Sequence, residues 1–63
     1  MNLNPTLRKI EEIYLDNISI FEEVAAGEEN LENALVYMGV YERDCPTVYK
    51  AVRTYLQTGT TPL

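Results

Sequence analysis

Residues 5–26, PTLRKIEEIYLDNISIFEEVAA, decide whether the chain opens with one long helix or with two short ones. On a wheel of about 100° per residue, Leu7, Ile10, Ile13, Tyr14, Asn17, Ile18, Ile20, Phe21, Val24 and Ala25 share an arc of roughly 160°. Glu11, Glu12, Asp16, Ser19, Glu22 and Glu23 take the other side, and Leu15 alone is out of place. Ser19-Ile-Phe-Glu22 has the capping-box pattern and would start a second helix. The apolar phase nevertheless runs unbroken through Asp16-Asn17-Ile18-Ser19, and that continuity predicts a single helix over 5–26. Pro5 suits its first turn, where a missing N–H is harmless, with Asn4 as the cap. Gly27 ends it.

Beyond Gly27, the segment EENLENALVYMGV predicts a second helix over about 29–40. Glu28, Glu29 and Glu32 favour the positive end of its dipole. Leu31, Ala34, Leu35, Met38 and Tyr41 share one side, while Val36 and Val40 lie nearly opposite, so this helix is apolar on two faces. A third helix, about 46–57, starts at Cys45-Pro46, because proline favours the first helical position and keeps the residue before it extended. Val48, Ala51, Val52, Tyr55 and Leu56 form its inner face; Lys50, Arg53, Thr54 and Gln57 form the outer one. Gly59 ends it, and residues 59–63 make a tail without regular structure. The expected fold is all-α: one small three-helix domain over 1–63, with a long first helix.

Size and charge narrow the function. A 63-residue chain buries only about 60% of its unfolded surface, so a lone core is marginal and a partner chain or a homodimer is the expected supplement. Cys45 is the only cysteine and histidine is absent. An internal disulfide and a histidine-based zinc site or general base are therefore excluded. One cysteine, no apolar run near the ~18 residues of a membrane span and no secretory pattern point to an intracellular, cytoplasmic protein.

The net charge of −5 is unevenly spread. Residues 1–32 carry Arg8 and Lys9 against eight acids, a net of −6, while residues 33–63 carry Arg43, Lys50 and Arg53 against Glu42 and Asp44, a net of +1. Nucleic-acid binders normally show a basic footprint, and the first half opposes one.

Candidate chemistry is sparse. The carboxylates sit on predicted solvent faces, and Glu28-Glu29-Asn30 lacks the calcium-loop pattern, so neither a catalytic site, nor a metal, nor a cofactor is expected. Cys45 reads as a small, partly buried cap rather than a reactive thiol. Asn17 falls in the seven-residue row Leu3, Ile10, Asn17, Val24. It would either fix register between paired helices or bond to backbone at the edge of an intramolecular core. Five tyrosines against one phenylalanine suit a surface that a partner buries.

These readings converge on a non-enzymatic acidic interaction module, an adaptor or an inhibitor of a partner protein with a basic surface. Glu11, Glu22 and Glu23 would steer that partner, and Val36, Tyr37, Val40 and Tyr41 would anchor it.

A second reading comes from residues 34–56, ALVYMGVYERDCPTVYKAVRTYL. Met38-Gly39-Val40 resembles the turn entry of helix-turn-helix regulators, and Thr47-Val48-Tyr49-Lys50 with Arg53 resembles their recognition helix. The resemblance implies a small DNA-binding transcriptional regulator, with Thr47, Lys50 and Arg53 facing base edges and Arg43 on phosphate. Six residues, 41–46, separate the two motifs, where the family uses about three.

Overall fold

The computed structural model describes residues 4–63, and Leu3 of the seven-residue row lies outside them. Four helices, not three, form among the described residues: α1 (Pro5–Asp16), α2 (Ile18–Ala25), α3 (Leu31–Tyr37) and α4 (Pro46–Thr58), with no strand. The fold is all-α as expected, but the single long first helix is not what forms.

Asn17 makes the break. Its backbone sits at φ −138°, ψ 35°, outside the helical region. Its side-chain Nδ2 donates to the Ile13 carbonyl at 2.9 Å, while its own N–H bonds to the Tyr14 carbonyl. The side chain thus satisfies a terminal carbonyl of α1, and the Asn17 carbonyl opens α2 by accepting from the Ile20 and Phe21 amides. Asparagine competes well with a regular helix for this reason. The role found for Asn17 is the bond to backbone at the core edge. Ser19 is not the cap, so the capping-box pattern marked a true boundary two residues late.

Continuity of the apolar phase was a poor guide here, because a one-residue break still leaves both helices facing α4. Ile10 and Ile13 of α1 and Phe21 of α2 all enter the core, and Tyr14 meets Phe21 edge-on across the break at 5.0 Å. The predicted arc was too wide at its edge. Leu7 and Ile18 are exposed, as is Leu15.

Asn4 caps α1, accepting from the Thr6 and Leu7 amides, and Asn30 caps α3 in the same way through the Glu32 and Asn33 amides. α3 therefore starts two residues later than the acidic cluster suggested. It also ends sooner. Gly39 takes φ 71°, the Gly39 amide bonds to the Val36 carbonyl, and the Val40 amide reaches back to the Leu35 carbonyl at 2.9 Å. This is a Schellman closure, with Val40 and Leu35 as its apolar pair.

α4 starts at Pro46 with Cys45 before it, as expected, although no Cys45 side-chain bond caps it and the thiol is exposed rather than partly buried. Val48, Val52 and Leu56, one turn apart, line its buried stripe. A fully buried side chain of this size contributes about 1.5–3 kcal/mol. α4 packs against α1, α2 and α3; α2 packs against all the others; α1 and α3 do not meet. The core is Ile10, Ile13, Phe21, Ala34, Leu35, Val40, Val48, Val52 and Leu56.

Candidate interaction surface

The α3 turn sorts the expected anchors. Val36 and Tyr37 stand at the end of α3 on the side away from Ala34 and Leu35, and they are 58% and 66% exposed. Val40, expected beside them, is instead 6% exposed and part of the core. The reason is Gly39: once the helix closes there, Val40 no longer follows the helical wheel and folds under α3. Tyr41, placed on the wheel beside Leu31 and Leu35 but also expected as an anchor, is 46% exposed in the connector, as the anchor reading required.

Tyr41 borders a groove of about 240 Å³ that occupies the gap between α1 and the α3–α4 connector. Ile13, Val40 and Val48 floor it, and Lys9, Asp44 and Cys45 stand around it. Val36 and Tyr37 do not line this groove. The expected anchor group is thus divided: Val36 and Tyr37 stand on the outer face of α3, Tyr41 stands in the connector and Val40 lies in the core.

The acidic residues are placed largely as expected. Glu22 and Glu23 are exposed on α2, and Glu11 is half-buried on α1. None of the three joins an ion pair among the described residues, where Arg53–Glu32 is the one pair formed. An acidic face left unpaired projects its field into solvent, where it attracts cationic partners and is screened by salt. Among the described residues, no group of three Asp, Glu, Cys or His side chains is arranged to hold a metal ion. No helix of the described residues is long and apolar enough to cross a membrane.

The residues of the DNA-reading alternative fall into two groups. Arg43, Thr47 and Lys50 are exposed around the start of α4. Arg53 is half-buried and committed within the fold: its Nη1 donates to Glu32 Oε1 on α3 and to the Tyr49 hydroxyl at 3.3 Å. The hydrogen bond that the guanidinium donates to Glu32 holds it above its ordinary range, with the charges of Glu32 and Tyr49 acting in the same sense and partial desolvation opposing them.

A second hollow, of about 260 Å³, lies between the α1–α2 junction, the end of α4 and the C-terminal tail. Tyr14, Phe21, Glu22 and Tyr55 line it together with Thr60 and Thr61 of the tail. The sequence reading passed over it. Its aromatic members were recognisable as core and boundary residues, but the return of the tail over them has no local signal. Comparison with protein-family models, with curated proteins and with solved structures gives no match.

Proposed function

We propose that this chain is a non-enzymatic interaction module that docks on a partner protein with a basic surface, as an adaptor or as an inhibitor that occupies that surface. The observation that carries this reading is the unpaired acidic face, with Glu22 and Glu23 exposed on α2, on a chain that also leaves Val36, Tyr37 and Tyr41 open to solvent. Charge gives such a module its association rate and orientation; exposed tyrosine and valine give the apolar contact that holds it. Exposed Leu7, Leu15 and Ile18 on the α1–α2 side support self-association as a further contact.

The test is affinity capture from the host lysate with and without nuclease. A protein retained after nuclease treatment is the expected result. Retention only of nucleic acid, lost on nuclease treatment, overturns the proposal. The alternative, a small DNA-binding regulator, draws on the exposed Arg43, Thr47 and Lys50. It requires salt-sensitive duplex binding that falls when Lys50 is changed to alanine.

A further inference from the structure

The two hollows differ in what surrounds them. The groove beside the connector has both Lys9 and Asp44 at its edge. The hollow beside the tail has no cationic side chain in its lining; Glu22 is its one charged group, set among Tyr14, Phe21 and Tyr55. Aromatic side chains and a lone carboxylate around a small cavity form the chemistry that selects organic cations, because the carboxylate and any ring face turned to the ligand attract positive charge.

Other features of the site agree. Phe21 and Leu56 are buried and give it an apolar floor. The Thr61 hydroxyl donates to the Leu63 carbonyl, and the Thr58 and Thr60 hydroxyls pair at 2.7 Å, so both tail hydroxyls at the site are held in place. Each keeps acceptor capacity for an incoming N–H group. A cavity of about 150 Å³ holds benzene, so this larger one has room for a guanidinium and part of its stem.

We propose that the hollow between the α1–α2 junction, the end of α4 and the tail receives an arginine side chain of the partner, with Glu22 taking its charge and the aromatic lining of Tyr14, Phe21 and Tyr55 covering its apolar stem and guanidinium. This proposal rests on the docking function above and specifies its partner: a basic segment with an arginine anchor. Arginine fits better than lysine because its planar, weakly hydrated guanidinium stacks on rings and pairs with a carboxylate through two N–H groups. The acid-rich first half of the chain supplies the field that brings it there.

The experiment is an NMR titration of the intact chain with N-acetyl-arginine methylamide, and in parallel with the uncharged citrulline analogue. The expected result is saturable movement of the Tyr14, Phe21 and Tyr55 ring signals and of the Ala25 and Thr60 amides with the arginine probe alone. Glu22→Gln, on an exposed position, should weaken that binding by about fivefold, and added salt should weaken it as well. Tyr55→Leu, checked for an intact amide spectrum, should weaken it too.

Equal response to citrulline, shifts confined to other surfaces, or an unchanged affinity in Glu22→Gln overturns the proposal. Tighter binding of free agmatine than of the capped arginine overturns the assignment to a partner's side chain. The docking function is tested separately. A partner retained equally well by Glu22→Gln removes the arginine site and leaves the module, whereas arginine binding with no protein partner does the reverse.

Discussion

The two halves of the chain turn their backbone by different means. In residues 4–26 the turn is made by a side chain: Asn17 bonds to the Ile13 carbonyl and leaves two helices nearly in phase. In residues 30–58 it is made by a backbone conformation: Gly39 adopts φ 71° and sends Val40 under the helix it has just left. The first device preserves the pattern of faces and the second resets it. That difference explains which sequence-based expectations held. Outward acids on α2 stayed outward across the Asn17 break, while Val40, expected as an exposed anchor, went into the core after Gly39.

The largest effect should come from breaking the apolar pair that closes the Gly39 turn. Leu35→Ala removes a buried side chain beside Val40 and should cost about 2–5 kcal/mol. A domain of this size has little more than that to lose, so chemical denaturation should show it largely unfolded.

Gly39→Ala should come next, at about 1–2 kcal/mol, from left-handed strain alone, because an added Cβ would meet nothing within 4 Å. A comparable loss in a variant that introduces no such strain, such as Asn33→Ala, would show that the glycine is not special.

Asn17→Ala should cost less, about half a kcal/mol. It loses a partly buried hydrogen bond worth about 1 kcal/mol and regains about half of that as helix propensity. Far-UV circular dichroism should show helicity equal to or above that of the parent. Loss of helicity would mean that the break is required by packing rather than written by the asparagine.

Cys45→Asp should stabilise α4 by about 0.5–1 kcal/mol, since no side chain now caps that helix. Thermal melts would resolve a gain of that size. The smallest effect belongs to Arg53→Ala, because the Arg53–Glu32 pair is solvent-accessible and screened by salt. The raised Arg53 pKa means that the contribution of this pair is present below the ordinary arginine range and is lost only as pH rises beyond it.

Much of the fold was legible where local chemistry decides: Asn4 and Pro5 at the first start, Cys45-Pro46 at the last, Gly27 and Gly59 at two ends. The break at Asn17 was visible only as a competing pattern. The wheel angles of Ile10, Ile13 and Phe21 are almost the same for one helix as for two, so periodicity had no power to separate them. The cavity at Tyr14, Phe21 and Tyr55 was not legible, because its fourth wall is the tail, brought there by the length of α4 rather than by any motif.

The charge contrast is sharper still: residues 1–32 carry a net of −6 and residues 33–63 a net of +1. The measurement that tests it most directly is partner retention at low salt by the parent chain, by a Glu11→Lys, Glu22→Lys, Glu23→Lys variant and by Lys50→Ala. Retention should fall sharply in the triple variant and stay at the parental level in Lys50→Ala, with the triple variant's amide spectrum showing an intact fold. Full retention by the triple variant, or loss confined to Lys50→Ala, would contradict the acidic first half as the docking surface.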